Sequence, residues 1–269
     1  MEKENGHIRA ASPLATTNGI LSIAGLDPCS GAGLTADLKT FEAHGLYGLT
    51  VCTAITIQND VAFKAAHWVD LEVILEQIET LFERFEIAVV KVGIVKNWQS
   101  LAMIIEKLFQ LNTNIKIVLD PILKATAGSD FHENASTALL DSILDKVYVI
   151  TPNYEEIQNL YPVKTATETI AHLSAQTNVY LKGGHRKDAP GLDILYTKNI
   201  APLNIEPGQA KVYAKHGSGC VLSSAIASYL QLGLSLEKAV VKAKQYIETF
   251  LASNKSLLGN HSKLVAYDS

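Results

Sequence analysis

The chain has 269 residues, almost half of them apolar, and a formal net charge of -4 at pH 7. This length suits one large α/β domain with a sizeable core, and the lack of a basic excess argues against a nucleic-acid-binding protein. Three cysteines without a CxxC spacing argue against a disulfide framework or a zinc ribbon and favour a reducing compartment.

The first residues of the chain are mostly polar or small. Residues 1–19 contain no apolar run of the kind found in a signal peptide. We therefore expect a flexible tail over 1–19, followed by a single domain over 20–269. The longest apolar runs are much shorter than the roughly 20 residues needed to span a bilayer, which predicts a cytoplasmic protein with no membrane partner.

Short apolar runs typical of strands alternate with stretches of helical periodicity. The predicted strands are 19–25, 48–58, 87–93, 115–120, 147–151, 178–184, 192–196 and 210–213. The predicted helices are 34–45, 69–85, 98–111, 135–144, 153–160, 220–231 and 236–253. This alternation predicts an α/β fold with a mainly parallel sheet and helices on both faces.

Stretches rich in polar residues and glycine occur at or after the ends of six predicted strands. The stretches are AGLDPCSGAG (24–33), KVGIV (91–95), DPIL (120–123), TPNYEE (151–156), KGGH (182–185) and HGSGC (216–220). Ligands of α/β folds bind at the carboxyl ends of the strands. Six such stretches therefore predict a binding site at one edge of the sheet.

A glycine-rich loop, Gly217-Ser218-Gly219, runs directly into a predicted helix. Its backbone N–H groups and the helix dipole would bind an anion without a lysine. The loop is not a Walker A motif, and no GxGxxG fingerprint occurs in the chain. A plain turn before a core helix is the alternative interpretation.

Cys220 lies in the first turn of that helix, where the dipole favours a thiolate and lowers the thiol pKa. Such a thiolate could accept a proton from a substrate hydroxyl or orient that hydroxyl. A small buried core cysteine is the alternative.

Two acidic residues, Asp120 and Glu156, follow neighbouring strands and could hold Mg²⁺ through oxygen contacts. Asn153 precedes Glu156 by three residues, so the two could equally form a helix N-cap and a capping box. Lys182 follows a strand and could contact phosphate or remain solvated. The amide of Gln58 offers a donor and an acceptor to a heterocycle, or is a polar strand end.

Taken in order, these motifs resemble the hydroxymethylpyrimidine/phosphomethylpyrimidine kinases of thiamine biosynthesis, which belong to the ribokinase-like superfamily. The resemblance runs over about 21–252. It implies a three-layer ribokinase-like sandwich and a homodimer. It also implies phosphorylation of 4-amino-5-hydroxymethyl-2-methylpyrimidine, and then of its monophosphate, with Mg²⁺ and ATP.

The resemblance also implies a role for each motif. Cys220 would occupy the catalytic position, with Gly217, Ser218 and Gly219 facing the transferring phosphoryl group. Asp120 and Glu156 would lie at the metal, and Asn153, Lys182 and Ser218 at the nucleotide. The residues implied to contact the pyrimidine substrate are Gln58, Asp37, Gly25, Ala32, Ile94 and Ile122.

The chain departs from the family pattern at three places: Ile94 stands where methionine is frequent, VYAKHG precedes the anion loop, and the C-terminus lacks a glycine-rich tail. A pyridoxal/pyridoxine kinase on the same scaffold is the main alternative function. A cysteine hydrolase using Cys220 with His216, and a non-catalytic ligand-binding protein, are further alternatives.

Overall fold

The structure, a computed structural model, describes residues 18–122, 136–184, 189–208 and 211–262. The strands in these ranges are β1 (Asn18–Leu26), β2 (Tyr47–Gln58), β3 (Phe63–Trp68), β4 (Glu86–Val92), β5 (Lys116–Leu119), β6 (Val149–Ile150), β7 (Asn178–Leu181), β8 (Asp193–Thr197) and β9 (Ile200–Ile205). The helices are α1 (Gly33–Ala43), α2 (Leu71–Phe82), α3 (Trp98–Leu111), α4 (Thr137–Leu144), α5 (Tyr154–Leu160), α6 (Ala166–Gln176), α7 (Ser218–Gln231) and α8 (Leu236–Ala252).

The described strands form one sheet in the order β3-β2-β1-β4-β5-β6-β7-β8-β9. Strands β2, β1, β4, β5, β6 and β7 are parallel, and β3, β8 and β9 pair antiparallel at the two edges. The prediction of a mainly parallel sheet is confirmed. Because β1 has β2 on one side and β4 on the other, the strand order reverses there. Such a reversal opens a crevice at the carboxyl ends of the strands.

Helices cover both faces of the sheet because successive strand residues point to opposite faces and both sets are apolar. Val90 and Val92 of β4 join the core under α2 to α6, whereas Val89 joins the core under α1, α7 and α8. The expected arrangement of a sheet between two helical layers is therefore confirmed.

Most helices begin at a residue whose side chain caps the first turn. Asn97 and Ser235 accept hydrogen bonds at the start of α3 and α8, and capping boxes start α5 and α6. By contrast, α1, α2 and α7 begin at Ala32, Asp70 and Gly217 without a side-chain cap. The first backbone N–H groups of α1 and α7 therefore have no side-chain acceptor within their own helix.

Four elements differ from the sequence-based prediction. β3, β9 and α6 lie in stretches for which we predicted no element. The strand predicted over 210–213 is wrong where it is described, because Lys211, Val212 and Tyr213 adopt no strand. The Tyr213 N–H donates instead to the Leu251 carbonyl at the end of α8. The last strand in the described part of the chain is β9, which pairs with β8.

Some predictions lie outside the described residues. These include most of the tail over 1–19, whose last two residues already belong to β1, and the ends of the DPIL and KGGH stretches. The single-domain organisation stays a prediction. None of the described helices has both the length and the apolar character needed to cross a membrane.

Candidate active site

The anion loop and the loop after β1 are in direct backbone contact. Gly217 has a φ of +71°, and a Cβ atom there would lie 2.0 Å from the carbonyl oxygen of Gly31. Gly33 has a φ of +56°, and its Cβ would lie 2.2 Å from the carbonyl oxygen of Gly25. Only glycine allows both the left-handed backbone and this close approach. Gly217 thus brings the start of α7 against the start of α1, and Gly33 brings the start of α1 against the end of β1.

Cys220 is buried where these two helix N-termini meet, and the backbone N–H of Gly33 is directed at its sulfur. The amides at both helix starts lack side-chain caps, as described above. A group with negative charge placed beside Cys220 would therefore face N–H donors and two positive helix ends. This arrangement suits an anion beside a thiol.

The expected thiolate at Cys220 is not supported by its surroundings. Burial raises the pKa of the thiol to about 11, although the Lys91 ammonium and the Gly33 N–H act in the opposite direction. The carboxylates of Asp37 and Asp120 raise it further. Desolvation therefore outweighs the helix N-terminus, and the group at neutral pH is the thiol.

A buried ion pair beneath Cys220 escaped the sequence analysis. Lys91 and Asp37 are both fully buried, with the Lys91 Nζ 2.8 Å and 3.0 Å from the two carboxylate oxygens. Ser22 donates a hydrogen bond of 2.5 Å to the same carboxylate, and Ser224 donates one of 2.7 Å. The signal for this pair was a lysine inside the apolar run IAVVKVG, since lysine is almost never fully buried without a partner.

The carboxylate of Asp37 therefore lies under the site, not on its surface. Its oxygens accept hydrogen bonds from Lys91, Ser22 and Ser224. The resemblance implied a contact between Asp37 and the substrate. With the side chain fully buried, the carboxylate is placed to act on the site through Lys91 and Ser224.

Asp120, Lys182 and Glu156 meet at the carboxyl ends of β5, β6 and β7. The Lys182 Nζ lies 2.9 Å from Asp120 Oδ1 and 3.6 Å from Glu156 Oε2. Gly219 is also close, because a Cβ atom there would lie 3.4 Å from the Lys182 Nζ and 3.7 Å from Asp120 Oδ2. The structure thus places the anion loop beside the Asp120 carboxylate and the Lys182 ammonium.

Asn153 and Glu156 form the capping box that was one of the two interpretations of this motif. The Asn153 N–H donates to Glu156 Oε2 at 2.7 Å, and the Glu156 N–H donates to Asn153 Oδ1 at 2.8 Å. The same Glu156 carboxylate faces Lys182. The cap fixes its position, so the structural role and a ligand-binding role are compatible.

The acidic pair fits a hard divalent cation. Asp120 is buried, and burial together with the Asp120 charge raises the pKa of Glu156, with Lys182 acting in the opposite direction. Two carboxylates beside one ammonium leave an excess of negative charge in a poorly solvated place. Carboxylate oxygens are the ligands that Mg²⁺ prefers, so Asp120 and Glu156 are chemically suited to hold it.

The other predicted pocket residues lie around the end of β1. A Cβ atom on Gly25 would lie 2.9 Å from Ile94 Cγ2, and the Ile94 carbonyl accepts a hydrogen bond from Thr53. Ile122 is partly buried against the core under α1 and α7. Gln58 is the last residue of β2, where the pairing of β2 with β3 shifts register. It lies three residues after Ile55, which pairs with Leu26 at the end of β1. Ala32 is the N-cap of α1.

The chain is similar to known proteins over most of its length. A model of the phosphomethylpyrimidine kinase family matches residues 27–265. A hydroxymethylpyrimidine/phosphomethylpyrimidine kinase from Aquifex aeolicus is 36% identical over 248 residues, covering 88% of this chain and 95% of that protein.

Solved structures agree with this match. The crystal structure of a phosphomethylpyrimidine kinase from Clostridium difficile 630 has a TM-score of 0.71 and 34% identity, covering 86% of this chain and 98% of that one. A pyridoxal kinase from Staphylococcus aureus in complex with ADP has a TM-score of 0.77 over 92% of this chain and 94% of that one. Its identity of 21% shows a shared fold alone. These likenesses confirm the expected ribokinase-like fold, and the chain belongs to the phosphomethylpyrimidine kinase family.

Proposed function

We propose that this chain transfers the γ-phosphoryl group of ATP to the hydroxymethyl oxygen of 4-amino-5-hydroxymethyl-2-methylpyrimidine, and then phosphorylates the monophosphate, in thiamine biosynthesis. The observation that carries the proposal is that Gly219, directly before Cys220, lies so close to Asp120 and Lys182 that a Cβ atom on it would be within 4 Å of both side chains. The Cys220 sulfur, which can accept a hydroxyl proton once it is a thiolate, thus lies next to groups that can bind phosphates. Family membership supports the substrate class.

The nucleotide side of the site is formed by charged and amide groups. Asp120 and Glu156 would hold Mg²⁺, which when bound would neutralise phosphate charge. Lys182 lies within 4 Å of both carboxylates, so its ammonium can reach phosphate oxygens there. Asn153 and Ser218 lie at the starts of α5 and α7 and would complete the nucleotide contacts.

The transfer step depends mainly on positioning and charge stabilisation, because the transferring phosphoryl group needs little covalent help. The uncapped amides at Gly217, Ser218 and Gly219 would donate to its oxygens, as in other preorganised anion sites. Cys220, a thiol at neutral pH, would first lose its own proton to solvent; the thiolate would then orient the substrate hydroxyl and accept its proton as the new P–O bond forms. The raised thiol pKa makes the sulfur, once deprotonated, a strong base.

The pyrimidine would lie between the end of β1 and the end of β2. Gly25, Ala32, Ile94 and Ile122 offer small and apolar surfaces for a ring, and the Gln58 amide can donate to and accept from its polar edge. Asp37 would act from below, through Lys91 and Ser224, as a positioning residue.

We also propose a homodimer in the cytoplasm. Exposed apolar side chains on the β2–β3 hairpin support self-association: Ile55 is 52% exposed, Ile57 is 44% exposed and Val61 is 72% exposed. Clustered exposed apolar residues of this kind mark interaction surfaces.

The acceptor is tested by ADP release with Mg-ATP and matched concentrations of hydroxymethylpyrimidine, its monophosphate and pyridoxal. We expect turnover with both pyrimidines and little with pyridoxal. Turnover with pyridoxal alone would reassign the chain to vitamin B6 salvage. Tight pyrimidine binding without turnover would support a non-catalytic protein, and ester hydrolysis that is lost on alkylation would support the hydrolase.

Substitution of Cys220 by alanine tests the proposed proton acceptor. We expect kcat to fall by about 100-fold or more, in the range found for removed general bases. The KM for ATP should change little, since the thiol meets the acceptor and not the nucleotide. The control is Cys52→Ala, which removes a thiol that donates a hydrogen bond to the Ala54 carbonyl. An equal loss of ATP affinity in Cys220→Ala contradicts the assignment.

The metal role of Glu156 can be separated from its capping role. Glu156→Gln keeps a capping-box side chain but removes the charge, so thermal stability should hold. The Mg²⁺ concentration for half-maximal rate should rise roughly tenfold or more, a usual cost of disturbing a metal site. Glu168→Gln alters the matching capping box of α6 and should change neither quantity. An unchanged Mg²⁺ requirement in Glu156→Gln excludes it as a ligand.

The buried ion pair should tune Cys220 in two opposite directions. In a Cys29→Ser/Cys52→Ser background, only Cys220 can be alkylated. Lys91→Met should raise the thiol pKa and slow alkylation at a fixed alkaline pH, because the ammonium favours the thiolate. Asp37→Asn should lower the pKa and speed alkylation. A shift in the same direction for both variants would show that packing, and not charge, controls the thiol.

A further inference from the structure

A second set of chemically reactive side chains meets on the other side of the anion loop. Asp27 and Cys29 belong to the loop after β1, and His216 directly precedes Gly217. The His216 Nε2 lies 3.0 Å from Asp27 Oδ2, and the Cys29 Sγ lies 3.2 Å from the same oxygen. All three ligand atoms are within 4.8 Å of one another.

Several hydrogen-bond donors compete for the carboxylate of Asp27. Its carboxylate accepts from the backbone N–H groups of Cys29, Gly31 and Ala32 at 3.0, 3.0 and 2.8 Å. Two of these N–H groups, those of Gly31 and Ala32, already donate to Oδ2, and a carboxylate oxygen has about two lone-pair sites. The Cys29 thiol and the His216 imidazole both approach the same Oδ2. This oxygen thus faces more donors than it can accept, and a single ion bonded to all three heteroatoms would replace the hydrogen bonds of the thiol and the imidazole.

We propose that Asp27, Cys29 and His216 form a binding site for a thiophilic divalent cation such as Zn²⁺, separate from the carboxylates of Asp120 and Glu156. Zinc bond lengths of about 2.0–2.3 Å in a tetrahedral site place ligand atoms about 3.4–3.6 Å apart. The observed separations of 3.0 and 3.2 Å therefore need an expansion of only a few tenths of an ångström.

The donor set selects the metal. Thiolate and imidazole favour zinc-like ions over Mg²⁺, which prefers oxygen. The three backbone N–H groups already orient the carboxylate, as outer-shell hydrogen bonds do in metal sites. Cys29 is only partly buried, which leaves a route of entry, and solvent can supply a fourth ligand.

Charge also fits. Burial raises the pKa of Asp27, but hydrogen bonds from His216 and Cys29 outweigh this effect and hold the pKa well below its usual range. One carboxylate, one thiolate and a neutral imidazole balance a divalent ion. Burial, Asp27 and Asp60 raise the pKa of the Cys29 thiol, so binding must release the thiol proton to solvent. Affinity should therefore increase as pH rises.

The test uses the full, metal-free chain with Zn²⁺ or Co²⁺ alone as the probe. Zn²⁺ affinity is measured by competition with a chromophoric chelator in the presence of excess Mg²⁺, and Co²⁺ reports thiolate ligation through its charge-transfer absorption. We expect one bound ion per chain and a thiolate-to-cobalt band. Cys29→Ser keeps a hydrogen-bond donor to Asp27 but should weaken Zn²⁺ binding about 100-fold and abolish the band. His216→Gln should weaken binding to a similar degree.

Two controls separate this site from the other thiols. Cys52→Ser and Cys220→Ala should each leave Zn²⁺ affinity and the cobalt band unchanged. Loss of binding in Cys220→Ala with full binding in Cys29→Ser would overturn the proposal, as would equal affinities in the native chain and Cys29→Ser. These readouts are independent of kinase activity, so a failed kinase assay and a failed metal site give different results.

Discussion

The buried ion pair between Lys91 and Asp37 is the interaction on which the arrangement of the site depends. It joins β4 to α1, and the hydroxyls of Ser22 and Ser224 extend it to β1 and α7. Removal of one partner from such a pair costs about 3–5 kcal/mol, because the other charge remains buried and unpaired. Ser224 lies one helical turn after Cys220. The ion pair thus fixes the end of α7 that carries the thiol and supplies a positive charge that favours the thiolate.

Two glycines and two uncapped helices then shape the space above this pair. The close contacts of Gly217 with Gly31, and of Gly33 with Gly25, admit no side chain. A side-chain cap is worth about 1 kcal/mol to a helix, and α1 and α7 lack one. Their amides are left for a ligand at the point where the strand order reverses. Local helix stability is thus given up at the two helix starts that we propose to face the phosphoryl group.

Two opposing effects act on the pKa of the Cys220 thiol, the helix N-terminus and burial, and their magnitudes decide the protonation state. A helix N-terminus favours a negative charge by about 0.3–1 kcal/mol. Burial raises the thiol pKa from 9.0 to about 11, which corresponds to about 3 kcal/mol. The dipole therefore does not produce a thiolate by itself. The thiol proton must therefore pass to solvent before the sulfur can accept a proton from the acceptor hydroxyl, as we propose for the transfer step.

Local patterns explain which elements could be predicted. The α3 prediction matches the structure because its apolar period and the Asn97 cap act within the helix itself. α6 carried an equally local signal that we did not use, the Thr165 and Glu168 capping box. The stretch 211–213 could not be placed from its apolar residues, because Tyr213 bonds to Leu251, which is far along the chain.

The sequence by itself determined the α/β architecture and the gathering of its polar loops at one edge of the sheet. It did so because strand and helix periodicity, and glycines at strand ends, are properties of neighbouring residues. Only the tertiary structure decided that Lys91 pairs with Asp37, that the Cys220 thiol stays protonated, and that Asp27 meets His216. These outcomes depend on desolvation and on contacts between groups far apart along the chain, 189 residues in the last case.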